Sequence, residues 1–142
     1  KVKMIHSVDS MKLAEEISKR AKQANVNMDI LVEVNMAGEE SKFGVSPKET
    51  LSLIQNIAFL DNISVKGLMT VAPFVDNPEE NRDCFRRMKQ LLVDINSEKI
   101  DNVHMNVLSM GMSNDFEVAI EEGATIVRVG TNIFGKRVYP QK

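Results

Sequence analysis

Cysteine occurs once in these 142 residues, histidine twice and tyrosine once. A lone Cys84 excludes an internal disulfide and suits a reducing compartment. His6 and His104 stand far apart, with no cysteine or further histidine at ligand spacing, so nothing in the sequence points to a metal. Charge of one sign is missing too: 18 Lys and Arg face 20 Asp and Glu, a net of −2. That balance gives no electrostatic footprint for nucleic acid or an anionic membrane. No apolar run approaches the roughly 20 residues a membrane-spanning helix needs. The opening residues, Lys1 to His6, lack a signal-peptide layout. A cytoplasmic globular domain is the expectation, with 43% hydrophobic and 27% charged residues. The chain opens on Lys1 rather than Met and already reads as a strand, which predicts a fragment of something longer.

What is present is a rhythm. Strand candidates fall at Met4 to Ser7, Met28 to Val34, Ile63 to Thr70, Val103 to Leu108 and Thr125 to Val129. Helices alternate with them. Ser10 caps one whose apolar positions Leu13, Ile17, Ala21 and Ala24 share a face. Ser46-Pro47-Lys48-Glu49 is a capping box with proline at the first helical position. Leu51, Ile54, Ile57 and Ala58 form the stripe that follows. Asn77-Pro78-Glu79-Glu80 repeats that start, and Phe85, Met88, Leu92 and Ile95 space for a long amphipathic helix. A helix over Asn114 to Glu122 stops at Gly123, and another opens at Thr131. Five strands alternating with helices imply a parallel sheet, either doubly wound or part of a (β/α)8 barrel, in a single domain over residues 1–142.

The end of the chain carries the chemistry. Leu108 to Asp115 and Thr125 to Gly135 each read as an apolar strand running into Gly, Ser or Thr and then a helix start. Free backbone N–H groups and hydroxyls at such a turn face an anion, normally a phosphate. Ser113 reads either as a helix cap or as a phosphate contact, and Gly130-Thr131 either as a strand-ending turn or as the second such contact. Arg128 sits in an otherwise apolar strand, and a buried Arg needs a partner. Other polar groups at strand ends are Asn35, the Glu39-Glu40-Ser41-Lys42 loop, Thr70 and Ser109. His6 reads as a satisfied core histidine, His104 as a rim residue. Met36, Met69, Met110 and Met112 read as packing, and the charges from Asp76 to Arg87 as a solvated helix face.

These residues resemble a known family. His6 to Ser10, the Glu40 to Val45 loop, Gly67-Leu68-Met69-Thr70, Leu108 to Asp115 and Val127 to Gly135 are similar to the pyridoxal 5'-phosphate-binding homeostasis proteins, which have the alanine-racemase-type barrel. The resemblance covers essentially the whole chain but only the C-terminal part of the family. It implies a partial (β/α)8 TIM barrel of the alanine-racemase N-terminal-domain type, with about five parallel strands. It implies a cofactor, pyridoxal 5'-phosphate, with Ser113, Gly130 and Thr131 at the phosphate and Arg128 opposite the pyridine nitrogen. Ser113 and Arg128 lie fifteen positions apart, as do their counterparts in alanine racemases. The Schiff-base lysine of the family lies upstream and has no counterpart here; Lys1 and Lys3 match a basic connector instead.

A guanidinium opposite the pyridine nitrogen keeps that nitrogen unprotonated and the ring a weak electron sink. Racemases with such an arginine also need an acid–base residue on each side of the substrate carbon. The only tyrosine, Tyr139, lies in the tail, and no such pair is evident, so no catalytic residue is assigned. The reading is a non-catalytic cofactor-binding protein, with apo-enzymes as partners. A pyridoxal-phosphate-dependent amino acid racemase and a sugar-phosphate-binding half barrel are the alternatives. Five strands cut from a barrel expose two edges, so self-association is also expected.

Overall fold

The computed structural model describes residues 2–40 and 43–130. Five strands, β1 (Met4–Val8), β2 (Met28–Glu33), β3 (Ile63–Met69), β4 (Val107–Met112) and β5 (Ile126–Arg128), form one sheet in the order β1-β2-β3-β4-β5. Every pairing is parallel. Helices α1 (Met11–Gln23), α2 (Pro47–Ile57), α3 (Arg82–Ser97) and α4 (Phe116–Glu121) fill the four crossovers. A doubly wound sheet reverses its strand order at a switch point, whereas this order never reverses. The sheet is a curled half barrel.

The two faces of the sheet separate by pleat parity. Val8, Val32, Leu68 and Leu108 are register partners in turn and share the helix-covered core with Ala14, Ile54, Phe85 and Met88. Glu33, Met69 and Ser109 are likewise partners, on the concave face. That second ladder carries the polar residues.

Local chemistry sets the helix starts. Ser10 Oγ accepts from Leu13 N–H at 3.2 Å, and Ser46 Oγ accepts from Glu49 N–H at 3.3 Å with Pro47 behind it. The stripe of α3 is the expected Phe85, Met88, Leu92 and Ile95, together with Cys84. Asn77-Pro78 opens a 3-10 turn over Pro78–Asn81 before α3 begins at Arg82. The stripe of α1 is corrected. Its buried residues are Ala14, Ser18 and Ala21, while Leu13 is exposed. Small side chains let this helix lie close to the layer beneath it, and Ser18 Oγ reaches the Asp61 carbonyl.

The fourth strand is corrected as well. It starts at Val107, four residues later than the sequence suggests, because Asn96 of α3 grips Met105. The Asn96 side chain donates to the Met105 carbonyl at 2.7 Å and accepts from its N–H at 3.0 Å. Ladder bonding resumes only with Asn106 N–H to Lys66 O at 3.0 Å and the Gly67–Val107 pair. Ser109 therefore lies inside a strand, fully buried, rather than after one. The mixed-charge face holds a hub: Arg82 meets Glu79, Glu121 and Glu122 at 2.6, 2.6 and 2.7 Å, tying the start of α3 to α4.

Candidate functional site

The strand ends of β4 and β5 converge. Gly111, at φ +102°, bends β4 one residue before its end, where the register shifts, and beyond β5 the chain continues through Val129 to Gly130. Gly130 N–H donates to Ser113 Oγ at 2.9 Å. Two turns seventeen residues apart in sequence are thereby one local structure. Ser113 does not cap the following helix. Asp115 occupies the position before α4, and its Oδ1 accepts from Met112 N–H at 2.7 Å. With α4 only six residues long, the polar groups of this turn are the Ser113 hydroxyl and turn amides rather than the end of a long dipole. Thr131, the helix expected to open there, Tyr139, Ser41, Lys42 and Lys1 lie outside the described residues.

Arg128 projects into this mouth from β5. Its Nη2 donates to the Thr70 carbonyl at 2.6 Å, while its Nε is buried with no partner among the described residues. Burial pulls the guanidinium below its ordinary pKa, and the charges of Glu33 and Asp115 hold it up. Thr70 is the node beneath. Its N–H bonds Ser109 O at 3.1 Å, its hydroxyl donates to Val34 O at 2.7 Å, and its carbonyl receives Arg128. One threonine thus joins β4, β5 and Val34, the residue after β2.

Three further groups share the concave face. Glu33 ends β2 with 9% exposure. Burial raises its pKa, the Asp9 charge adds to that, and Arg128 opposes both. His6 Nδ1 lies 3.3 Å from Ser109 Oγ. Burial, then the Arg128 charge, lowers its pKa, so the imidazole is neutral at neutral pH. His6 is therefore a partnered histidine, but a half-buried one beside the arginine rather than in the core. His104 is exposed. Glu33 escaped sequence reasoning as a member of the site, whereas Ser109 was among the strand-end polar groups that the sequence offered. The signal was available for Glu33, a charge interrupting the apolar run Ile30-Leu31-Val32 just as Arg128 interrupts β5.

The Asn35 loop closes on itself. Asn35 Nδ2 donates to Glu39 O at 2.7 Å, and its Oδ1 accepts from the N–H groups of Gly38 and Glu39 at 3.1 and 3.3 Å. Met36, Met69 and Met110 are buried as packing, and Met112 is half exposed.

Comparison with known proteins places the fold in a family. Residues 1–138 match the family described as the alanine racemase N-terminal domain. The chain belongs to this family. Within the alanine racemase N-terminal domain family, it is 51% identical over 139 residues to the pyridoxal phosphate homeostasis protein of Aquifex aeolicus, covering 98% of this chain and 60% of that one. The Homo sapiens protein of the same name is 36% identical over 148 residues, covering 98% and 52%. PipY of Synechococcus elongatus, solved with pyridoxal phosphate bound, aligns with a TM-score of 0.81 at 29% identity, covering 93% and 60%. A solved protein of Bifidobacterium adolescentis reaches a TM-score of 0.88 at 42% identity, covering 94% and 53%. The chain thus spans between half and 60% of the length of these relatives. Among the described residues, no helix is long and apolar enough to cross a membrane, and no cluster of His, Cys, Asp and Glu could hold a metal.

Proposed function

We propose that this chain binds pyridoxal 5'-phosphate at the ends of β4 and β5 as a carrier of the cofactor rather than as a catalyst. The observation that carries the reading is a buried Arg128 Nε, without a partner among the described residues, in the same mouth where Gly130 N–H meets Ser113 Oγ. A buried donor without an acceptor costs about 1–3 kcal/mol. An unprotonated ring nitrogen is an acceptor that removes this cost. Ser113 and Gly130 would hold the phosphate on the other side, with Thr131 joining them by its sequence position.

When bound, the cofactor supplies an aldehyde and an electron-accepting ring. The residues of this chain restrain that chemistry. Arg128 stays protonated despite its burial, since guanidinium groups do not lose their proton in proteins. Its charge disfavours a proton on the facing nitrogen. His6 is engaged with Ser109 and has a depressed proton affinity, which disfavours it as a proton donor. Residues 1–142, acting as one domain, would contribute non-covalent contacts to the cofactor's phosphate and ring nitrogen. A cytoplasmic store that supplies apo-enzymes is the role consistent with these contacts.

Titration with pyridoxal 5'-phosphate, followed by absorbance, tests the reading. Ser113→Ala and Arg128→Leu should each weaken binding by about tenfold, the equivalent of one lost hydrogen bond to a charged group. No alanine racemisation is expected. Binding indifferent to both substitutions would overturn the reading. Equal competition by sugar phosphates would favour a general phosphate site, and steady racemisation dependent on Arg128 would favour an enzyme.

A further inference from the structure

The turn bearing Ser113 is braced from outside the site. Asp115 is 5% exposed and Asn81 is 2% exposed, yet both are polar. Asn81 Nδ2 donates to Asp115 Oδ2 at 2.9 Å and to the Pro73 carbonyl at 2.8 Å. Asp115 Oδ1 in turn accepts from Met112 N–H at 2.7 Å, the residue immediately before Ser113. A second tie, Asn114 Nδ2 to Val75 O at 3.1 Å, runs to the same β3–α3 connection. Buried side chains that satisfy one another in this way fix a unique geometry, because each loses a hydrogen-bond partner if the turn shifts. The brace thus links Pro73 and the 3-10 turn after β3 to the backbone just before Ser113. Arg128 feels it as well, since the Asp115 carboxylate is one of two charges supporting the guanidinium.

We infer that Asn81 and Asp115 are positioning residues that hold the Ser113 turn against Gly130 and so set the strength of phosphate binding without touching the ligand. The inference rests on the cofactor reading given above. Truncating Asn81 leaves the Asp115 carboxylate and the Pro73 carbonyl without that donor, and the turn is then free to relax away from Gly130.

The probe pair is pyridoxal 5'-phosphate and pyridoxal, which share a ring and differ in the phosphate. For Asn81→Ala in the full chain, the dissociation constant for pyridoxal 5'-phosphate should rise about tenfold, with that for pyridoxal unchanged within about twofold. Amide exchange at Met112 and Gly130 should accelerate by at least about tenfold, with Ile30 and Val65 in β2 and β3 unaffected. A merely structural role would weaken both ligands alike and accelerate all four amides, and that result would overturn the inference. If Asn81→Ala does not fold, Asp115→Asn keeps the side-chain volume and carries the same comparison. The Ser113→Ala control separates the two levels. A normal Ser113→Ala response beside an indifferent Asn81→Ala overturns the inference alone. A parent protein that binds both ligands equally, with Ser113→Ala silent, brings down the cofactor reading and this inference together.

Discussion

Three glycines separate backbone strain from steric exclusion, and alanine at each gives a graded prediction. Gly38 has φ +75° and no atom within 4 Å of a built Cβ among the described residues. Gly67 has ordinary φ, but a Cβ there would lie 1.7 Å from the Val107 carbonyl oxygen. Gly111 combines both faults, with φ +102° and a Cβ placed 2.6 Å from Ala119 Cβ. Left-handed strain alone costs about 1–2 kcal/mol, which is the full expected effect of Gly38→Ala. Overpacking adds about 1–3 kcal/mol, so Gly111→Ala should lose about 2–5 kcal/mol. Gly67→Ala meets rigid backbone at the Gly67–Val107 pairing and should part β3 from β4, at a cost of about 4 kcal/mol or more. Urea unfolding at constant pH reads all three. With a slope near 2 kcal/mol/M, the midpoint should fall by roughly 0.5–1 M for Gly38→Ala and by roughly 1–2.5 M for Gly111→Ala. Gly67→Ala should scarcely fold. Equal midpoints for Gly38→Ala and Gly111→Ala would refute the steric half of the argument, and a tolerated Gly67→Ala would refute the close approach of β3 to β4.

Two other perturbations follow from the charged groups. The folded pKa of His6 is depressed below its ordinary 6.5, so the native state binds fewer protons than the unfolded chain, and stability falls as pH drops below about 6.5. The lowered Glu16, Glu79 and Glu122 act only below their ordinary 4.5, and the raised Glu33 acts in the opposite sense, adding stability as pH falls through its folded value. His6→Gln should therefore flatten the urea midpoint between pH 7.5 and 5.5, and an unaltered slope there would assign the pH dependence elsewhere. Arg82→Met removes the cation shared by Glu79, Glu121 and Glu122. Its melting temperature should fall below that of the parent, with the gap narrowing in about 1 M salt as the exposed charges are screened; a gap independent of salt would point to packing of the arginine stem instead.

The alternation of strands and helices was legible because each apolar run and each cap is a local signal. Ser10, Ser46 and the Phe85–Met88–Leu92–Ile95 stripe act through neighbours three or four residues away, where sequence spacing is a sufficient guide. The start of β4 was not legible, because Asn96 decides it from another helix. The stripe of α1 slipped for a related reason: an alanine reads as weakly apolar, yet close helix packing favours it over Leu13. At the site, Ser113 and Arg128 stood out by their company in sequence. That Ser113 would accept from Gly130 rather than cap α4 depends on two strands ending side by side. Glu33 shares a ladder with Ser109 only through the register of three strands, and no single segment shows that.

Arg128 is tethered before any ligand arrives. One arm of its guanidinium is held by the Thr70 carbonyl at 2.6 Å, and Thr70 is itself fixed to β4 and to Val34. Ordering a free arginine costs up to about 2 kcal/mol of rotamer entropy. Here folding has already met that cost, so a ligand that reaches Nε gains a hydrogen bond without immobilising the side chain. Such a rigid donor accepts a narrow range of directions. It should therefore discriminate among ligands by the angle at which an acceptor is presented, rewarding a flat ring held edge-on and giving little to a flexible anion of the same charge.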